Sequence, residues 1–449
     1  MSAIEAAEVA QRAVDAGLRV GAEHAEAYVQ EGLHRTVRVN EAAVDFFKES
    51  RVRGLGLRVV VDGRRGFAHS SDLRADGLEA LAERAVRLAK LAPENPWAAL
   101  PAAGFASAAS DDLDLDDPQV AALGTDDLLE CALSMERAAL AADARVHRTQ
   151  LCQAQAYAGS VVLLNSRGPL LKAPSTIVSF YVGALAEDAA GRQQGWYEGG
   201  TWRHRADATT PEVLGAEAGR QAVRRLGPRR VKSQRVPVVM HADIAARWFD
   251  KLAGAFSGDA ARKKTSYLAE RLGETIAAPG VSLIDDGRRR RGVGSAPFDA
   301  EGIATQRTLL IDDGVCRAFL YDDAAARRAS TRSTGNAERD YDAPPTIGTH
   351  TLHLLPGEAT LQKLLDVPRG FYYVDSGSFG YNPTTGDYAF QAAGFWIENG
   401  EIAFPVDEIT VASNSLDMLR NIDAIGRDID WRGSTCAPAI RIAEMTVGA

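Results

Sequence analysis

A stretch near the C-terminus, Phe371 to Asn414, constrains the fold of this 449-residue chain more than any other. Two turn signals divide it, TTGD at Thr384 to Asp387 and ENGE at Glu398 to Glu401. In both, glycine supplies the positive φ that a tight hairpin needs. The segment between the turns is rich in aromatic and β-branched residues, which favour strands. The stretch therefore predicts a β-meander of antiparallel strands.

The composition is that of a globular protein with more than one domain. A hydrophobic fraction of 46% with 25% charged residues is typical of a sizeable core. The net charge of −9 argues against a nucleic-acid-binding surface, which needs clustered excess lysine and arginine. One dense basic run, GRRRRG at Gly287 to Gly292, follows two aspartates. We interpret it as a solvated hairpin or a partner contact.

The sequence also indicates the compartment. No segment reaches the roughly 18 apolar residues that a membrane helix requires. Glu5 and Glu8 lie where a signal peptide would be basic and then apolar. The four cysteines are scattered without a CxxC pair, so a disulfide framework is not expected. We therefore expect a cytoplasmic protein that binds neither membrane nor nucleic acid.

Periodicity along the chain predicts an α+β fold in two domains. Apolar spacing of about 3.6 residues predicts helices at Ala3 to Ala16, Asp76 to Ala92, Thr125 to Ala142 and Pro211 to Leu226. Alternating segments between them predict strands. We expect an N-terminal α/β sheet-and-helix domain over residues 1–230, with an irregular surface loop at 94–118. A C-terminal domain rich in antiparallel β-sheet is expected over residues 236–449.

The amino-acid sequence of the meander is specific to one protein family. NPTTGDYAFQAAGFWIENGEIAFPVDEITVASN, followed by DMLRNIDAIGRDI, resembles the C-terminal signature of the TldD/PmbA family. The resemblance continues in separate blocks over the second half, including STGNA at Ser333 to Ala337, and more loosely over the first. Members of this family were once called modulators of DNA gyrase and are now treated as the subunits of a metalloprotease.

The resemblance also implies which subunit this chain is. In the metal-bearing branch, a helix carries HExxxH, two zinc-binding histidines and a glutamate. Registered on a shared Gly-Asp pair, these positions hold Phe249, Asp250 and Gly254 here. Phenylalanine and glycine have no side-chain lone pair for zinc, so the chain resembles the metal-free PmbA (TldE) branch. The resemblance implies a HExxxH-bearing TldD-like partner that holds the zinc, with no catalytic residue in this chain.

The implied substrate is an unfolded or extended peptide, which can add as a strand to an exposed sheet edge. We expect this edge on the first strand of the meander, at Tyr372 to Gly377, unless that strand is already paired inside the sheet. The side chains expected to face the groove are those of Tyr373, Asp375 and Ser376. The STGNA loop, with Ser333 and Asn336, either presents polar groups to the peptide or forms an ordinary turn.

Two functions from other classes remain open. One is a non-catalytic homodimeric binding or regulatory protein. The other is a stand-alone enzyme using Cys436, which lies in RGSTCAPAI where metal-bearing members contribute a cysteine ligand. A lone cysteine is typically a small buried residue. The sequence contains neither a GxSxG motif nor a Gly-Lys dipeptide of a P-loop.

Overall fold

A computed structural model describes residues 3–107, 113–377 and 380–448 of the chain. The middle of the expected 94–118 loop and two residues of the meander therefore lie outside the described residues. Within the described part, the fold is α+β, as the sequence predicts. No helix in these ranges is long and apolar enough to span a membrane.

The first half is built on one antiparallel sheet in the order β3-β2-β1-β4-β5-β6. Its strands are β1 (His24–Asn40), β2 (Ala43–Val61), β3 (Arg64–Ser70), β4 (Val146–Asn165), β5 (Leu170–Glu187) and β6 (Gln193–Trp202). The turn between β2 and β3 has positive φ at both Asp62 and Gly63, which matches the twist of a tight hairpin. β6 is the last strand of this sheet.

Amphipathic helices cover the sheet. They are α1 (Ala3–Arg19), α2 (Ala75–Leu91), α3 (Pro118–Ala121), α4 (Thr125–Ala141) and α5 (Pro211–Arg224), with a short 3-10 turn at Arg205–Asp207. In α2, the buried positions recur every three or four residues, from Leu78 to Ala89, so one apolar face packs on the strands. The bounds of the long helices confirm the helices predicted from the sequence to within a few residues.

The second half contains the remaining elements. Its strands are β7 (Gln234–Met240), β8 (Leu283–Asp286), β9 (Arg307–Asp312), β10 (Val315–Cys316), β11 (Ala337–Glu338), β12 (Thr346–Ile347), β13 (Leu352–Leu354), β14 (Arg369–Ser376), β15 (Asp387–Glu398), β16 (Glu401–Asn414), β17 (Ile422–Ile429), β18 (Thr435–Cys436) and β19 (Pro438–Gly448). Its helices are α6 (Ala242–Ala253), α7 (Gly258–Arg262), α8 (Asp323–Arg328), α9 (Leu361–Leu365) and α10 (Ser415–Arg420), with a 3-10 turn at Gly254–Phe256.

The predicted meander is confirmed as β14, β15 and β16. These strands continue into a larger sheet in the order β16-β15-β14-β7-β19-β17, and β19 also pairs with β16. That last pairing closes five of the strands into a ring around a buried core that includes Phe371 and Trp396. A smaller sheet, β10-β9-β8-β13-β18, lies beside it.

A buried ion-pair network joins the two halves. Arg58 of β2 contacts Glu26 of β1 at 2.9 Å and Glu301 of the second half at 2.6 Å. Arg339, also from the second half, contacts Glu26 at 2.6 Å. All four side chains are buried. Because removing one partner of a buried pair leaves an uncompensated charge, this network fixes how the halves sit together.

The expected surface loop at 94–118 is irregular, but its described residues are not confined to the surface. Leu100 and Leu113 are buried. Phe105 forms a backbone bridge with Ile303 in the second half. The expectation of a surface loop is wrong here because this segment runs between the two halves, and both of them cover its apolar residues.

Candidate functional site

A cleft runs between β5–β6 of the first half and the second half of the chain. Within the described residues it consists of adjoining cavities of about 360, 330 and 620 Å³. We name them the Asp375, Asp250 and Arg289 cavities, each after a residue that lines it. Tyr197 borders both the Asp375 and Asp250 cavities, and Gly433 borders both the Asp250 and Arg289 cavities. The three cavities are therefore neighbours along one cleft.

Helix α6 forms one side of the Asp250 cavity. His241 caps its N-terminus by accepting from the backbone N–H of Asp243. The apolar side chains of α6 recur at helical spacing and are buried in the core. Its opposite face presents Asp243, Arg247 and Asp250 to the cleft. The helix thus aims a charged face at the cavity and keeps its hydrocarbon face in the core.

The positions registered on HExxxH do not fit a metal. The side chain of Phe249 is 0% exposed, and its ring centroid lies 4.7 Å from that of Trp248. Gly254 is the C-cap of α6 and has no side chain. Asp250 faces the cleft and accepts a hydrogen bond from the hydroxyl of Thr435 at 3.4 Å. One carboxylate is too few for a zinc site, which takes three or four protein ligands.

The rest of the described chain gives a similar picture. Among residues 3–107, 113–377 and 380–448, no group of three or more His, Cys, Asp or Glu side chains is arranged to hold a metal ion. Cys436 is 2% exposed, and its thiol lies 3.4 Å from the carbonyl oxygen of Gly433. Burial raises the pKa of Cys436 to about 11, so the group is a thiol at neutral pH. This chemistry disfavours Cys436 as a nucleophile.

The strand expected to offer a free edge is internal. β14 pairs with β15 on one side, and Phe371 to Tyr373 pair in parallel with β7 on the other. Tyr373 is 0% exposed, and its hydroxyl accepts from that of Tyr388 at 3.4 Å. The prediction that Tyr373 faces a groove is therefore wrong, because β7 already occupies that edge.

The end of β14 does reach the cleft. Asp375 is half-buried, lines the Asp375 cavity and accepts from Nη1 of Arg225 at 2.7 Å. Ser376 is also half-buried and pairs with Ala392 of β15. Of the side chains expected in the groove, Asp375 is thus found there, already paired with an arginine.

The STGNA loop lies elsewhere. Asn336 is buried, and its amide donates to the carboxylate of Asp285 at 2.6 Å and to the carbonyl of Gly348 at 3.0 Å. Ser333 donates to the carbonyl of Tyr321 at 3.0 Å and lines a separate cavity of about 650 Å³. The prediction that Asn336 contacts a peptide is wrong, because its amide is used to hold the loop to the protein. The structure does not bring Ser333 to the cleft.

Sequence reasoning missed the strand edge that does face the cleft, on β6. The N–H of Thr201 points away from β5 and donates to the carbonyl of Arg432 at 3.0 Å. The carbonyl of Gly195 accepts from Arg225 at 2.8 Å. Since backbone groups alternate along a strand, those of Tyr197 and Gly199 point the same way, into the cleft. The Gly-Gly pair in EGGTW, typical of a close backbone approach, is the one local signal.

Ion pairs and hydrogen bonds hold the two sides of the cleft together. Arg225, 5% exposed, reaches both Gly195 in β6 and Asp375 in β14. Arg432 forms an ion pair with Glu198 of β6. The carbonyl of Gly195 and the N–H of Thr201 are thus bonded at the two ends of the Tyr197–Gly199 edge, and Glu198 is paired between them. These contacts fix the edge in place and leave the backbone groups of Tyr197 and Gly199 turned to the cleft.

The basic run at Gly287 to Gly292 is not a simple solvated hairpin. Arg289 to Gly292 line the Arg289 cavity, and Arg289 is half-buried. Trp202 and Trp431 line the same cavity. The run therefore forms part of the cleft wall.

Comparisons with known proteins agree on one family. Models of the PmbA/TldA metallopeptidase domain 1, central domain and C-terminal domain match residues 25–89, 118–226 and 233–449. The boundary between the first two models falls inside one sheet, because β1 pairs with β4 along most of its length.

Relatives that match most of the chain carry PmbA, TldD or TldE names. The metalloprotease PmbA of Escherichia coli O157:H7 is 32% identical over 394 residues, which cover 88% of this chain and 85% of that protein. A metalloprotease TldD homologue of Haemophilus influenzae is 26% identical over 427 residues, covering 88% and 86%. TldE from Thermococcus kodakarensis has a similar fold, with a TM-score of 0.89 at 20% identity, covering 98% of this chain and 100% of that one.

Proposed function

Because the chain belongs to the TldD/PmbA metallopeptidase family, we propose that it is the non-metal-binding, TldE/PmbA-like subunit of a heteromeric zinc metallopeptidase. Its partner is a HExxxH-bearing, TldD-like paralogue that supplies the zinc. The substrate is an unfolded or extended peptide, cut during peptide maturation or degradation.

The observation that carries this proposal is the burial of Phe249 at the first metal position of α6. A hydrocarbon ring in the core replaces the ligand that a catalytic subunit needs there. The neighbouring Asp250 still faces the cleft, so the cleft keeps the shape of a binding site without the donors of a metal centre. This chain therefore supplies binding surface, and the chemistry belongs to the partner.

The β6 edge supports an extended substrate. A peptide that adds beside Tyr197 and Gly199 gains main-chain hydrogen bonds, which depend little on its side chains. The edge is about one or two residues long between its contacts with Arg225 and Arg432. A short edge limits the stretch of peptide that pairs with this subunit and leaves the rest to reach the partner.

Reconstitution tests the proposal. We expect the purified chain alone to retain no stoichiometric zinc after dialysis and to cleave no peptide. Mixed with a HExxxH-bearing paralogue from the same genome, it is expected to form a complex with the large interface of a stable pair, and cleavage should appear. A partner variant with the HExxxH glutamate replaced by glutamine is the control, because it keeps assembly and removes cleavage.

The experiment is followed by three measurements. Metal analysis gives the zinc content, light scattering after size exclusion gives the assembly state, and a peptide-cleavage assay gives the activity. One zinc retained per isolated chain, or cleavage by the isolated chain, would contradict the proposal. So would two separate peaks at micromolar concentration. A stable homodimer that does not bind the paralogue would instead support the alternative of a non-catalytic binding or regulatory protein.

A further inference from the structure

The Arg289 cavity contains several arginines, and most of their charges are balanced within the protein. Arg290 contacts Asp114 at 3.0 Å, and Arg291 contacts Asp114 at 2.6 Å and Asp207 at 3.3 Å. These two guanidinium groups hold the basic run against the first half of the chain. Their positive charges are therefore already paired.

The guanidinium of Arg203 is occupied by hydrogen bonds within the protein. Arg203 is buried, and its guanidinium donates to the carbonyls of Gly292, Val293 and Ser295 at 3.1, 2.6 and 3.0 Å. It also donates to the hydroxyl of Ser175. These hydrogen bonds engage the N–H groups of Arg203 and fix the wall of the cavity. The guanidinium of Arg203 is therefore not available to a ligand.

Arg289 differs from its neighbours. It forms no ion pair with any residue that the structure describes. Its guanidinium carbon lies 3.1 Å from the ring centroid of Trp431, so the indole covers one face of the cation. Asp286 lies close enough to act on it through space, but the carboxylate of Asp286 accepts the backbone N–H of Arg288 at 2.8 Å. Burial lowers the pKa of Arg289, as expected for a desolvated cation without a direct counter-ion.

The neighbouring Asp250 cavity is lined by more acidic than basic side chains. Arg247 lies on α6 with Asp243 one turn before it and Asp250 one turn after it, and all three face the same cavity. Glu198 and Arg432 also line this cavity, so its three carboxylates outnumber its two guanidinium groups and do not favour an external anion. Along the cleft, Arg289 is thus the cation best placed to receive an external anion.

We propose that Arg289, held over the ring of Trp431, binds a carboxylate of the peptide in the cleft. The planar guanidinium fork matches a carboxylate by two parallel hydrogen bonds, and the contact with the indole holds the guanidinium in place beforehand. Gly433 lines both this cavity and the Asp250 cavity, so Arg289 lies next to the part of the cleft that β6 borders. This inference rests on the proposed function and adds a preference among its substrates.

The carboxylate comes either from the C-terminus of the peptide or from an aspartate or glutamate side chain. Fluorescence anisotropy on the full chain distinguishes these sources with labelled, unstructured peptides. A free-acid peptide is compared with its C-terminal amide, and a peptide with an internal aspartate is compared with its asparagine analogue. Loss of the carboxylate that is recognised should weaken binding roughly tenfold, the usual scale for charge-assisted hydrogen bonds.

Variants assign the effect to Arg289. Arg289→Gln should bind acid and amide peptides equally. Arg290→Gln is the matched control, since it removes the same charge from the same cavity while its guanidinium is already paired with Asp114. Melting temperatures are measured for both. If Arg289→Gln does not fold, Arg289→Lys keeps the charge without the planar fork and should retain only part of the preference.

Three results would overturn the inference. The first is equal binding of the acid and neutral peptides by the unmodified chain. The second is an equal loss of preference in Arg290→Gln and Arg289→Gln, which would indicate general attraction to a basic wall. The third is full preference in Arg289→Gln.

The two proposals fail separately. A reconstituted complex that cleaves acid and amide peptides equally would overturn the role of Arg289 and leave the peptidase proposal standing. An isolated chain that prefers the carboxylate through Arg289, yet never forms an active complex, would support this site and overturn the proposed function.

Discussion

Two strands, β14 and β6, border the same cleft and differ in what their edges do. β14 carries the aromatic sequence RGFYYVDS and lies between β15 and β7. β6 carries the glycine-rich sequence QQGWYEGGTW and is the last strand of its sheet. The stronger strand former is therefore internal, and the weaker one has its backbone turned to the cleft.

The difference teaches that strand propensity does not identify a binding edge. Aromatic and β-branched residues favour a strand because they pack well on both faces, which also favours a central position. A strand edge that another peptide backbone approaches closely needs small side chains, as in the Gly199–Gly200 pair of β6. The candidate edge is thus better sought in a glycine-containing strand that ends its sheet.

The largest expected effect is on β14. Tyr373→Pro removes a fully buried ring, fixes φ and replaces a backbone N–H in a strand with neighbours on both sides. We expect a loss of roughly 3–5 kcal/mol in the free energy of unfolding, or failure to fold. Urea denaturation of the full chain measures this. A variant as stable as the unmodified chain would mean that β14 is not held inside the sheet.

The matched change in β6 should act on binding instead. Tyr197 is 55% exposed and its N–H faces the cleft, so Tyr197→Pro should cost the fold about 1 kcal/mol or less. Cleavage by the reconstituted complex should fall about two- to tenfold, the scale of one main-chain hydrogen bond. Tyr197→Ala is the control, since it removes the ring and keeps the N–H. Equal cleavage by both variants would argue against strand addition at β6.

Much of the fold is predictable from the sequence because its signals are local. Helical spacing predicts α2 and α4 within a residue or so at each end. The Asn399-Gly400 turn predicts the hairpin of β15 and β16, and both residues have positive φ. Such features depend on neighbours in the chain, so a pattern of a few residues is enough to specify them.

The site is less predictable because its contacts are distant in sequence. β7 pairs with β14 although more than 100 residues separate them, and no local pattern in FYYVDS indicates that neighbour. Asn336 donates a hydrogen bond to Asp285, and Arg289 lies over Trp431, and both partners are distant in the sequence. The register of Phe249 and Gly254 on HExxxH comes from the family resemblance and stays a prediction. The structure shows that Phe249 is buried and that Gly254 is the C-cap of α6.

Hydrogen–deuterium exchange tests the central claim most directly, because it reports on both strands in one experiment. The full chain is compared with and without a saturating extended peptide, first alone and then in the reconstituted complex. We predict that the peptide slows exchange in residues 193–202, where the amides of Tyr197 and Gly199 face the cleft, and leaves the slow exchange of residues 371–373 unchanged. Bound peptide with unchanged exchange in β6, or new protection confined to β14, would contradict the account.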